Sequence, residues 1–242
     1  MSQYPPQFNQ QDYNGQYAGT QAIGASVPQA MKLVYLKMTL ALVVTGLVSW
    51  FCAGSYDFMM FLAQNRWAMW GLVIVEFGLV IGISAGINKL SSPVATLLFY
   101  LFAVVNGLML APIFLVYTGT SIAKTFFITA GTFGAMSVYG YTTGQDLTKI
   151  GRILFMALIG LIIASLVNIF THSSTLDWII SFVGVIIFVG LTAWDTQQIK
   201  RMAAMMPANQ IGRLATLGAL SLYLDFINLF LYLLRFFGNS RD

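Results

Sequence analysis

Residues 180–195 read ISFVGVIIFVGLTAWD, and residues 221–230 read SLYLDFINLF. The first is apolar throughout until it reaches Asp195; the second holds Asp225 in its middle. Each belongs to a longer apolar run, and a helix needs about 20 such residues to cross the hydrocarbon of a bilayer. The same pattern continues along the chain. Spans are expected at 31–54, 68–88, 94–117, 121–141, 151–171, 176–199 and 213–237, joined by connections too short for a soluble domain. The fold class that follows is an all-α membrane protein, a seven-transmembrane-helix bundle whose short loops make neighbouring helices antiparallel.

Composition agrees. Of 242 residues, 58% are hydrophobic and only 8% are charged, against about 25% charged in a soluble domain. Mean hydropathy is +0.77. One cysteine, Cys52, excludes a disulfide framework, and one histidine, His172, excludes a histidine-cluster metal centre. Residues 1–28 are rich in Gln, Asn, Tyr, Gly and Pro with almost no aliphatic residues. They read as a disordered polar tail, followed by the membrane domain over 29–242. The tail lacks the basic start and short apolar stretch of a cleaved signal peptide. Pro112 lies inside the third span and should kink it. Small residues such as Gly131, Gly134, Ala135, Gly184 and Gly190 are expected to let helices approach closely.

Orientation follows from the placement of Lys and Arg. With seven spans, the side shared with the N-terminus holds Lys32, Lys37, Lys89, Lys149, Arg152, Lys200, Arg201 and Arg213. The other side holds Arg66, Lys124, Arg235 and Arg241. Eight against four puts the N-terminus in the cytoplasm and the C-terminus outside.

Of the eight acids, Asp12, Asp57, Asp146, Asp177 and Asp242 fall in the tail, in loops or at the end. Glu76, Asp195 and Asp225 fall within spans, where each would cost roughly 2.5–3.5 kcal/mol at a helix centre. Each must therefore face the bundle interior, a partner or water. If the sixth helix continues to Pro207, Asp195 lies about 16 Å from the turn, and Asp225 lies about 18 Å beyond Arg213 on the way back. The two acids fall at similar depth on antiparallel neighbours and are able to face each other. Two carboxylates in contact do not both ionise easily, so such a pair would share one proton. Ionised, it would suit a hard cation such as Ca²⁺. The plainer alternatives are that Asp195 reaches the interface and pairs with Lys200 or Arg201, and that Asp225 and Asn228 are structural polar contacts. For Glu76 the plainer alternative is likewise a structural role; with Asn106 it is a candidate for lining an ion route.

The two stretches resemble the signature of the transmembrane Bax inhibitor motif family. There the sixth helix ends in a Tyr-Asp-Thr-Gln-type motif, here Trp194-Asp195-Thr196-Gln197. The seventh carries Leu-Tyr-Leu-Asp-Phe-Ile-Asn-Leu-Phe, here Leu222 to Phe230. Residues 107–119, 139–147 and 160–168 are similar to bacterial members, and the resemblance covers roughly 28–238. It implies a bundle with the last helix central and a pH-dependent calcium leak in which Asp195 and Asp225 form the sensor. Related bacterial proteins latch the sixth-helix aspartate with an arginine near the cytoplasmic end of the second helix. Here that region offers only Lys89, a poorer bidentate partner. The similarity favours a bacterial inner membrane, with calcium ions and protons as the species handled and no further cofactor.

An enzyme is not expected. An intramembrane aspartyl protease places its second aspartate in Gly-x-Gly-Asp, whereas Leu222, Tyr223 and Leu224 precede Asp225. A zinc hydrolase needs several His or acidic ligands. The remaining rival is a non-enzymatic regulator that binds a membrane protease or another membrane partner through the N-terminal tail. No nucleic-acid partner is expected.

Overall fold

The computed structural model describes the backbone of residues 10–239 and the side chains of residues 27–239. Among the described residues the chain is helical, with no strand. In order come α1 (Gln10–Ala53), α2 (Tyr56–Gln64), α3 (Arg66–Gly86), α4 (Ser92–Leu110) and α5 (Ile113–Val116). Then follow α6 (Gly119–Thr142), α7 (Thr148–Thr171), α8 (Ser174–Met205), a 3-10 turn (Ala208–Gln210) and α9 (Ile211–Phe237). The tail reading for 1–28 lies outside the described residues at 1–9, and no side chain before Val27 is described.

The breaks between helices have local causes. Ser55, Thr118 and Ser173 cap α2, α6 and α8 by accepting from the backbone N–H three residues on. His172 ends α7 in the left-handed region, at φ 48°, and its N–H closes the last turn on the Asn168 carbonyl. Pro112 does more than kink the third span. It separates α4 from α5, as a residue without an N–H would. α8 runs on through Thr196–Met205 as one helix of 32 residues. The nine-residue α2 lies where the sequence suggested only a connection; it is too short to register as a span.

Among the described residues, six helical segments are long and apolar enough to cross a membrane: Val27–Ala53, Arg66–Gly86, Ser92–Val116, Thr148–Thr171, Ser174–Met205 and Ala208–Phe237. The expected seventh, α6, is long enough at 24 residues. It is less apolar than the six, with Lys124 and the hydroxyls of Thr125, Thr129 and Thr132 in its sequence. Its ends are nevertheless far apart in depth. Ser121 Oγ donates to the Phe237 carbonyl at the end of α9 (3.0 Å), and Lys200 near the end of α8 donates to the Tyr141 carbonyl (2.7 Å).

α9 packs against α1, α4, α6 and α8, and 67% of its apolar stretch is buried, against 6% for α3 and for α7. The core gathers around it: Leu220, Leu222, Tyr223, Leu229 and Leu234 are fully buried, with Phe99 and Phe102 of α4 edge-on to the Tyr223 ring. α7 turns Ile153, Met156, Ile163 and Phe170 outward. A continuous apolar exterior of this kind suits lipid and not water.

Close helix approach occurs at only some of the expected glycines. A Cβ at Gly184 would meet the Tyr232 ring at 2.7 Å, and one at Gly190 would run into Leu154. Gly131 and Gly134 have nothing within 4 Å of that position, so no helix packs there. The tight crossings fall instead at Gly107, where a Cβ would lie 2.8 Å from Val48 of α1, and at Gly140, against the Ala193 backbone.

Candidate functional site

α8 and α9 form an antiparallel pair, and both aspartates lie on it. Ser221 Oγ donates to Asp195 Oδ2. Ser221 precedes Asp225 by four residues, so both lie on one face of α9, about 6 Å apart along the axis. Asp225 is buried, and its Oδ2 has no hydrogen-bond partner among the described residues. Ser221, which bonds Asp195 across the α8–α9 pair and stands one turn from Asp225, is the contact that links the two acids.

The plainer alternative for Asp195 does not hold. Lys200 is engaged by the Tyr141 carbonyl, and Arg201 pairs with Asp146 at 2.8 Å. Lys89 is exposed in the turn after α3, and no ion pair joins it to either aspartate. Asn228 is also apart from the pair, because its Nδ2 donates to the Leu224 carbonyl of its own helix (2.8 Å). Trp194, beside Asp195, has its indole seated over Gly151 of α7, where a Cβ would overlap the ring.

Glu76 and Asn106 form a second buried cluster. Asn106 Nδ2 donates to Glu76 Oε1, Tyr223 OH donates to Asn106 Oδ1 (3.0 Å), and Thr45 Oγ1 lies 2.6 Å from the same phenol. Thr45 also reaches the Ala103 carbonyl at 2.8 Å. The chain of contacts runs α3–α4–α9–α1. It is threaded through Tyr223, two residues before Asp225, so the two clusters share α9.

A half-buried cation lies toward one end of the bundle. Lys37 Nζ donates to Thr216 Oγ1 (2.7 Å), Thr96 Oγ1 (2.8 Å) and the Gly212 carbonyl (3.1 Å). Its three donors are met without a carboxylate. Ser221, Tyr223, Thr45 and the inward turn of Lys37 escape a reading of the sequence. Ser221 had a usable signal, since it stands one turn from Asp225 in SLYLD. Lys37 had one in its position within an apolar run.

Among the described residues there is no cluster of three or more His, Cys, Asp or Glu side chains. Two carboxylates and a hydroxyl supply fewer oxygens than the 6–8 that Ca²⁺ takes.

Residues 27–242 match the family described as inhibitor of apoptosis-promoting Bax1. The chain is 51% identical over 220 residues to inner membrane protein YbhL of Escherichia coli (strain K12), covering 90% of this chain and 94% of that protein. An uncharacterized protein of Borreliella burgdorferi is 46% identical over 211 residues, or 86% and 91% of the two chains. Uncharacterized protein RP147 of Rickettsia prowazekii is 44% identical over 215 residues, or 88% and 90%.

Proposed function

The chain belongs to the family of inhibitors of apoptosis-promoting Bax1, and from that membership we propose that it is a pH-sensitive leak pathway for calcium in a bacterial inner membrane. Asp195 and Asp225 are its proton-sharing sensor. The observation that carries the reading is Asp225 Oδ2, a carboxylate oxygen buried without a partner among the described residues, one helical turn from Ser221, which bonds the Asp195 carboxylate. A bare buried acceptor is costly. One proton placed between the two acids removes both the missing bond and the like-charge repulsion. Loss of that proton restores the repulsion within the tightest helix pair of the bundle. α8 and α9 then have two packings, biased by pH, and the ionised one offers oxygen to a cation.

In this reading α6 crosses the membrane with the six apolar segments, giving seven crossings, α9 among them. At 24 residues it is about 36 Å long, enough for hydrocarbon of about 30 Å. The N-terminus lies in the cytoplasm, as the Lys/Arg asymmetry requires. Calcium is the transported substrate. Glu76 and Asn106 lie on the far side of α9 from the aspartates and line the route. The chain makes and breaks no covalent bonds, so it is not an enzyme.

The test is calcium flux into proteoliposomes holding the purified chain, scanned from about pH 5 to 8, where a proton-sharing carboxylate pair titrates. Asp195→Asn and Asp225→Asn are run beside it. Both substitutions are expected to flatten the pH dependence of flux. Wild-type flux from both variants at every pH would sink the sensor. No flux from any form would favour the regulator of a membrane protease.

A further inference from the structure

α1 and α6 both pack on α9 and leave a groove between them. Its volume is about 590 Å³. Met31, Tyr35, Met38 and Leu42 form one wall, Phe126, Gly134 and Tyr141 mark the other, and Phe226 of α9 forms the floor. The wall from Met31 to Leu42 is eleven helical steps, about 16 Å of helix. That matches the hydrocarbon of one leaflet, half of about 30 Å.

Next along α1 and α6 is a smaller pocket of about 200 Å³. Val27 of that pocket is one turn before Met31, and its Gly140 adjoins Tyr141, so the two spaces stack along the same helices. Lys200 and Arg201 line the pocket, and no acidic side chain does. Lys200 stands 4.8 Å over the Tyr141 ring and uses one of its donors on the Tyr141 carbonyl, which leaves two. Arg201 spends only one nitrogen, Nη1, on Asp146 and Thr148.

An apolar channel one leaflet deep, capped by two cations, is complementary to one kind of molecule. We propose that this groove binds an anionic glycerophospholipid. One acyl chain lies against Phe226, and the phosphodiester sits between Lys200 and Arg201. The site rests on the chain being a membrane protein and stands whether or not it conducts ions. Because Phe226 is the neighbour of Asp225, the occupant lies directly behind the residue that the aspartate pair uses.

Native mass spectrometry of the full chain tests this, with phosphatidylglycerol, phosphatidylcholine or inorganic phosphate added in turn. The wild type is expected to retain one phosphatidylglycerol, to hold phosphatidylcholine about tenfold more weakly, and to hold no phosphate alone. Gly134→Leu places a side chain in the groove, where nothing lies within 4 Å, and should lose the lipid. Gly131→Leu has the same open surroundings but lies off the groove, and should keep it. Arg201→Gln should weaken phosphatidylglycerol about tenfold and leave phosphatidylcholine unchanged. Equal retention of the two lipids by wild type and Arg201→Gln would overturn the proposal, as would undiminished retention by folded Gly134→Leu. So would binding of phosphate alone, or a lipid-free dimer with a second copy in the groove. If Gly134→Leu fails to fold, the wild-type lipid preference and Arg201→Gln decide the matter.

Discussion

Tyr223 has one proton to give and two oxygens within reach, Asn106 Oδ1 at 3.0 Å and Thr45 Oγ1 at 2.6 Å. Thr45 can turn its own proton to the phenol or to the Ala103 carbonyl. Removing the hydroxyl leaves Asn106 Oδ1 without its donor inside a fully buried layer, while Thr45 still has Ala103. Tyr223→Phe should therefore destabilise the folded chain by about 1–3 kcal/mol, read as a lower unfolding midpoint in detergent. An unchanged midpoint would mean that the phenol contributes no net hydrogen bond. The acids of the site were readable because a charge in an apolar run is conspicuous. The hydroxyls that hold them were not, because Ser221 and Thr45 look like any small polar residue among leucines. Lys89 was readable as a charge near the right helix end, but its exposure depends on where the turn after α3 points, which no local pattern encodes.

The turn between α6 and α7 ties itself to α8 through side chains. Gln197 accepts from the Leu147 N–H (2.9 Å) and donates to the Gln145 carbonyl (2.7 Å), while Arg201 bonds Asp146 and Thr148. Thr148, through its hydroxyl and its amide, and then Arg201 hold the Asp146 carboxyl down from 3.8 to about 2. A depressed carboxyl stabilises the fold fully above its unfolded value and loses that contribution as pH falls through the folded one. The tie should thus be complete above about pH 4 and be lost towards pH 2. Titration of the Thr148 amide resonance should show its midpoint near the lower value and lose it in Asp146→Asn; a midpoint near 4 would refute the tie. This window lies below the pH range in which calcium flux is to be scanned, so the turn does not contaminate that test. Most helix positions, the Pro112 break and the extension of α8 were readable from apolar length and proline alone. The packing faces were not. A membrane helix is apolar all round, so nothing in the sequence separates Gly140, pressed on Ala193, from Gly134, which faces open groove.

The described residues keep Thr45, Asn106, Thr216 and Asp225 inside the bundle and turn large apolar side chains outward, with α9 enclosed. If α6 completes seven crossings, the 143–147 turn and the C-terminus lie on opposite sides of the membrane. In a Cys52→Ser background, Ser240→Cys should react with an impermeant maleimide added outside the inner membrane. Gln145→Cys should react only once that membrane is opened. Labelling of both from one side, or the reverse pattern, would refute the topology. The enclosed helix follows all the other described helices in the chain. Until residues 211–237 leave the ribosome, Lys37, Thr45 and Asn106 have no Thr216 or Tyr223 to bond, and the other helices have no centre to close upon. Closure of the bundle therefore waits for α9, and a chain cut short before residue 211 presents bare polar groups to lipid, a mark by which quality control can recognise it.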